Sequence, residues 1–263
     1  MVKYIIITLV ILSGALAQIT AQQPYFKWEV GEHLSYKVKW TFIKLGQIQI
    51  TIGEKTELND RTVYPCRIHI DSSPGLPFVN IHDLYESYID STEYYSHLFK
   101  SYEKKSDFTL YTEYAYDPDK NRIDIHLEKI FPDTVLQLLD STVVSPEKMF
   151  DSVSMFFLAR AMVKIPTTVN LSLFVYNKFE KTDIHFTGVR DEIKHAGKKI
   201  NCFFLQGKLK FVGIAGVKDE FKGWFSPDAQ SVPIKAAMKA FIGSVKIELE
   251  EWINWENSIA TFE

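Results

Sequence analysis

The stretch HLSYKVKWTFIKLGQIQITIGEKTEL, residues 33–58, alternates apolar and polar side chains with a period of two. Tyr36, Val38 and Trp40 fall on one side and Lys37 and Lys39 on the other; Ile48, Ile50 and Ile52 then repeat the pattern against Gln47, Gln49 and Thr51. Successive side chains of an extended chain point to opposite faces, so the pattern predicts two strands, each turning one face to a core. The connection is expected near Lys44 to Gly46.

The same signal recurs outward from this pair. RTVYPCRIHIDSS, residues 61–73, predicts a third strand, and residues 84–130 continue as a meander with a turn at Asp117-Pro118-Asp119. Residues 170–211 repeat the style, with Ala196-Gly197 as a tight connection. In GWFSPDAQSVPIK, residues 223–235, Trp224 and Phe225 end a strand, Ser226-Pro227-Asp228 opens a turn, and Val232 to Lys235 starts the return strand.

SPEKMFDSVSMFFLARAM, residues 145–162, departs from this pattern. Ser145 is a capping residue type, Pro146 and Glu147 suit a first helical turn, and Met149, Val153, Phe156 and Phe157 share one side at helical spacing. A helix over 146–162 is expected, stopped before Pro166. The fold class that follows is mainly β: an antiparallel, strongly curved sheet or half-barrel with one central helix packed against it, over residues 31–255. The alternative is two similar lobes, 31–140 and 168–255, joined by that helix. Residues 87–99 align without a gap on 223–235, Tyr88 over Trp224 and Leu98 over Ile234, as an internal duplication would give. Chance similarity between amphipathic strands gives the same picture.

At the N-terminus, Lys3, the apolar run from Tyr4 and the small residues of Ala15-Leu16-Ala17 predict an export signal over 1–17, cleaved after Ala17. The run is shorter than the roughly 20 residues that a spanning helix needs, so no transmembrane anchor is expected after cleavage. Residues 18–30 then form an N-terminal segment and 256–263 a C-terminal tail. The formal charge is −3 and the basic residues are scattered, which argues against a nucleic-acid partner. Cys66 and Cys202 are the only cysteines; in an oxidising compartment they either pair or stay buried as small apolar side chains.

No catalytic residue is assigned. Ser226 has neither a G-x-S-x-G elbow nor a recognisable S-x-x-K setting, and turn chemistry accounts for each polar residue around it. The seven histidines show no H-E-x-x-H or close paired spacing, so no metal is expected, and Gly213 and Gly216 lack the phosphate-loop pattern. No cofactor is implied. The aromatic content instead suits an apolar groove, with Trp40, Phe42, Phe156, Phe157, Arg160 and Trp224 as candidate ligand-binding residues. Arg160, beside two phenylalanines on the helix, either pairs with a buried carboxylate, snorkels to solvent, or meets an anionic group of a ligand or partner.

GEHLSYKVKWTFIKLGQIQI, LYESYID, FFLAR and GWFSPDAQSVPIKAAMKAFIGSVKIEL together resemble the domain of unknown function 3108 family of bacterial envelope proteins. The similarity runs from about Gly31 to Trp252, and its distinctive parts are the opening GE-x-L-x-Y and the closing W-x-S-x-D-x-x-x-x-P-I-K. The resemblance implies an exported, β-rich protein of the periplasm or cell envelope of a Gram-negative bacterium, without an assigned enzyme activity. In style the chain is also similar to periplasmic lipoprotein carriers, whose curved half-barrel holds acyl chains against a helical lid. Two functions are expected from this: binding of an apolar or lipid-like ligand in a curved-sheet cavity, or structural and assembly work on another envelope protein.

Overall fold

The computed structural model describes residues 22–76, 80–209, 219–239 and 244–255. Residues 1–17, where an export signal is expected, the C-terminal residues 256–263, and Gly213 and Gly216 lie outside the described residues.

The alternating segments form strands β1 (His33–Trp40), β2 (Ile43–Ile52), β3 (Thr56–Leu58), β4 (Arg61–Ser72), β5 (His82–Asp90), β6 (Ser96–Lys104), β7 (Thr109–Asp117), β8 (Arg122–Ile130) and β9 (Val135–Val144). After helix α1 (Ser154–Met162) come β10 (Thr167–Val175), β11 (Lys178–His195), β12 (Lys198–Leu209), β13 (Asp219–Phe225), β14 (Pro233–Lys239) and β15 (Ser244–Ile253). The fold is mainly β, a single large antiparallel sheet with one helix among the described residues. Its order is β10-β11-β12-β13-β14-β15-β1-β2-β4-β5-β6-β7-β8-β9, with β3 paired to β4. The last strand thus lies beside the first, Tyr36 opposite both Ile48 and Leu249, and joins two meanders into one surface.

The sheet curves without closing. The edge strands β9 and β10 do not pair; instead Phe150, after β9, forms a parallel bridge to Leu173 of β10. Farther along β10, the Phe174 ring meets Tyr114 of β7 edge-on at 4.9 Å, and the Tyr114 hydroxyl donates to Asn177 Oδ1 at 2.8 Å. These contacts bring the β10 end of the sheet against the inner face of β7.

Most turns fall where turn chemistry puts them. Ala196 and Gly197 both have positive φ between β11 and β12, a backbone that glycine adopts without a Cβ clash. The β7–β8 turn follows Asp117, whose carboxylate accepts the Lys120 amide. Two expectations need correction. The β1–β2 turn is at Thr41 and Phe42, not at Lys44 to Gly46: Thr41 takes φ 53° and Phe42 projects into solvent, 91% exposed. Gly46 belongs to the β2 strand, where a Cβ would lie 2.1 Å from the Asp71 carbonyl oxygen of β4; it marks a close approach of strands, not a bend.

The helix is shorter than 146–162. Ser145 spends its hydroxyl on the Glu147 carbonyl at 2.5 Å, and Phe150 is held in the bridge to β10, so neither is free for helical geometry. The cap is Asp151: Oδ1 accepts the amides of Val153 and Ser154 at 2.7 Å each, and Ser154 Oγ accepts the Asp151 amide at 2.8 Å. This is a reciprocal capping box. Met149 and Val153 are buried as the apolar pattern requires.

Candidate ligand chamber

The inward faces of the curved sheet and the first turns of α1 enclose a cavity of about 700 Å³. Val38, Ile50, Ile68, Phe99, Leu205 and Ile247 represent its walls, and Met155, Phe156 and Ala159 of the helix form its floor. The alternation that builds the strands therefore builds the chamber: one side chain in two points inward, and on β1, β2, β4 and β15 these are mostly aliphatic. A volume of this size lies within the range of small-molecule sites.

The floor is fixed by a latch of polar groups beneath it. Arg160 Nη1 and Nη2 donate to Glu32 Oε1 and Oε2 at 2.6 and 2.7 Å, with both side chains wholly buried. Nε and Nη2 of the same guanidinium also donate to the Gln230 carbonyl at 3.2 and 2.9 Å. The N-terminal segment runs through this region: Phe26 lies against the guanidinium at 4.6 Å, and Trp28 stacks on Tyr64 at 4.4 Å and on Phe157 at 5.4 Å. Glu32 comes from the opening motif, Arg160 from FFLAR, and Gln230 from the closing motif. Three separated signatures thus converge on one buried ion pair.

The closing motif is spent on structure. Ser226 is buried; its Oγ accepts the Val232 amide at 2.7 Å and its own amide donates to the Val232 carbonyl at 2.8 Å. Asp228 Oδ1 accepts the amides of Gln230 and Ser231, and Oδ2 accepts Trp255 Nε1 at 3.0 Å. Trp224 Nε1 donates to Asp191 at 2.8 Å. Among the described residues, no group of three His, Cys, Asp or Glu side chains is placed to hold a metal ion.

Of the six candidate ligand-binding residues, Phe156 alone lines the chamber. Phe157, its neighbour, points the other way into the packed core with Phe26 and Trp28. Arg160 lies in the latch, Trp224 is taken up with Asp191 and Phe204, and Phe42 is on the turn tip. Trp40 ends β1 opposite Ile43 and Val245 and does not line the cavity. The sequence reading favoured the largest aromatics, whereas the walls are built mainly by the aliphatic members of each strand.

It also missed the polar wall on β5, β6 and β7. Tyr85, Ser101 and Thr112 stand side by side across these strands, and all three line the chamber. One step along, Glu103 also lines it; beside Glu103, Asp83 accepts the Tyr85 hydroxyl at 3.2 Å and the Lys104 amide at 3.1 Å. Burial, reinforced by the Glu103 charge, raises the Asp83 carboxyl above its ordinary range. Burial pushes the Tyr114 hydroxyl up to about 12. The alternation within SHLFKSYEK, where Phe99, Ser101 and Glu103 share a face, is the sequence signal that could have found this wall.

Both cysteines are free and buried. Burial lifts the Cys66 thiol well above its ordinary value and the Cys202 thiol to about 12. No helix among the described residues is long and apolar enough to cross a membrane.

The family model described as a protein of unknown function (DUF3108) matches residues 35–250 of this chain. No curated protein matches the sequence. Among solved structures, the chain is similar to a beta-barrel-like protein of domain of unknown function DUF1849 from Brucella abortus, at 8% identity and a TM-score of 0.53, over 86% of this chain and 98% of that one. At that identity the likeness concerns the fold alone.

Proposed function

The chain belongs to the DUF3108 family, and we propose that it is a noncatalytic binding protein whose chamber holds an apolar, lipid-like ligand. One observation carries this reading: an apolar cavity of about 700 Å³ at the centre of a fold whose polar motif residues are engaged in holding its floor in place. Fully packed interiors have few voids larger than a water molecule, so a cavity of this size is a feature the fold maintains. The test is native mass spectrometry with lipid extraction on protein purified without harsh detergent. A stoichiometric apolar ligand supports the reading; no copurified ligand together with no uptake of fluorescent lipid refutes it.

The protein works outside the cytoplasm in this proposal, in the periplasm or envelope of a Gram-negative cell, and residues 1–17 direct its export. Charge, apolar run and small residues at Ala15 and Ala17 support this. Mature protein in the periplasmic fraction beginning at Gln18 is the expected finding, and an uncleaved cytoplasmic chain contradicts it.

A second reading, an assembly factor for another envelope protein, draws on the free edge of β9. Val135, Leu136 and Leu138 are 55%, 51% and 44% exposed on a strand with one edge unpaired among the described residues, an arrangement suited to strand addition. Crosslinking in cells from a photoreactive residue at Leu138 separates the two readings: a reproducible protein adduct favours assembly, and none removes it.

A further inference from the structure

The chamber wall is apolar except where β5, β6 and β7 meet the cavity, and that exception has a definite pattern. Ser101 and Thr112 are directly opposite each other on β6 and β7, 2% and 6% exposed, and both line the cavity. No protein group bonds either hydroxyl among the described residues, and neither is one of the sealed, partnerless hydroxyls of the fold, which are those of Tyr95, Tyr116 and Ser231; the Ser101 and Thr112 oxygens are open to the cavity. A hydroxyl that opens onto a cavity and is not spent on the protein is free to bond a ligand there, and each such bond adds an ordinary hydrogen bond's free energy to binding. Opposed residues on an antiparallel pair hold their Cβ atoms about 4.5–5.5 Å apart, a spacing over which one small head group reaches both hydroxyls.

The surrounding charge selects among head groups. The next row along the same wall is Asp83 and Glu103, both acidic, with Lys105 held against Glu103 at 2.9 Å. Two lysines also border the cavity, but on β13 and β14, away from this wall: Lys222 is exposed, and Lys235 lies 3.6 Å from Glu248. An anionic head group beside Ser101 and Thr112 would sit next to the Asp83 and Glu103 carboxylates, and like charges at that spacing repel. An uncharged, hydroxyl-bearing head group meets only donors and acceptors.

Building on the chamber reading, we propose that Ser101 and Thr112 form the head-group subsite for a single-chain amphiphile whose head is uncharged and carries hydroxyls. Along β6 the order Phe99, Ser101, Glu103 leads away from the β5–β6 turn, so the head sits on the far side of Phe99 from that turn. The acyl chain then packs among Ile50, Ile68, Phe99 and Phe156 toward the helix.

The experiment compares two lipids with the same chain, 1-monooleoylglycerol and oleate, by titration calorimetry at pH 8 on the purified protein. It repeats both on the Ser101→Ala/Thr112→Val double variant, whose folding is checked by its melting curve. The monoacylglycerol is expected to bind about tenfold tighter than oleate, and the double variant to lose about tenfold toward it, as two hydrogen bonds of ordinary strength predict. Oleate binding as tightly as the monoacylglycerol, or a folded double variant with undiminished affinity, overturns the subsite and leaves the chamber reading standing. Neither lipid binding overturns both. Should the double variant not fold, the preference of the unmodified protein between the two lipids decides the matter.

Discussion

Glu32 and Arg160, 128 positions apart in the chain, are joined by two hydrogen bonds of 2.6 and 2.7 Å between side chains that solvent does not reach. The pair ties the entry to β1 to the helix, and the Gln230 carbonyl adds the β13–β14 turn to the same guanidinium. Burial of both charges is unfavourable by itself; the two-point geometry and the further bonds to the guanidinium offset it.

Removing one partner is therefore far worse than removing both. Arg160→Met strands the Glu32 carboxylate in the interior and is expected to destabilise the fold by about 3–5 kcal/mol. Glu32→Leu with Arg160→Met is expected to recover most of that loss, because apolar groups of similar volume replace the pair without leaving a lone charge. Urea unfolding of the single and double variants checks this, and a double variant no more stable than Arg160→Met alone contradicts it.

Phe156 and Phe157 are adjacent, yet their substitution should give opposite readouts. Phe157→Ala removes a ring stacked on Trp28 inside the packed core, at an expected cost of about 3–5 kcal/mol. Phe156 borders the chamber, so Phe156→Ala gives up fewer contacts and should cost about half as much or less. Conversely, Ala159→Trp, which fills the floor, should lower fluorescent-lipid affinity at least tenfold while the protein stays folded. Equal destabilisation by the two alanine variants, or unchanged lipid uptake by Ala159→Trp, would sink this division of labour.

The same pair shows how far the sequence could be read. Period-two alternation announced the strands, Asp-Pro-Asp and Ala-Gly marked turns correctly, and the amphipathic segment around Phe156 indicated a helix, because these signals are local. The start of the helix was misplaced because Asp151, not Ser145, receives the first amides, and that choice depends on Phe150 bridging to β10. Which phenylalanine faces the cavity also depends on how the helix sits on the sheet. Ser101 and Thr112 were passed over because a hydroxyl on a strand reads as surface until the curvature of the sheet turns it inward. For Arg160 a buried carboxylate was one of three alternatives, and only three-dimensional proximity selects it and identifies it as Glu32.

Cys66 and Cys202 should be inert in the folded protein. Burial raises both thiols far above the pH at which a thiolate forms, and neither is exposed to a reagent. Fewer than one thiol per chain is expected to react with a maleimide at pH 7 within an hour under native conditions, and two in denaturant without reductant. One or both reacting quickly in the native state, or none reacting after denaturation, contradicts the buried free-thiol arrangement.

Asp90 gives the fold an acid-sensitive point at the β5–β6 turn. Burial alone would raise its carboxyl, but the His97 ring nitrogen at 3.4 Å and the amides of Glu93 and Thr92 at 2.8 and 2.9 Å outweigh that effect and hold it below its ordinary 3.8. A carboxyl with a lowered pKa binds its proton more readily in the unfolded chain, so its contribution to stability is full above about pH 5 and declines as pH falls below 4. Asp90→Asn keeps an acceptor but cannot titrate. The unmodified protein should therefore exceed Asp90→Asn in urea stability at pH 6, and that margin should shrink steadily as the pH is lowered below 4. Parallel stability curves for the two proteins across that range would show that the carboxylate at this turn is not held in its charged form by the fold.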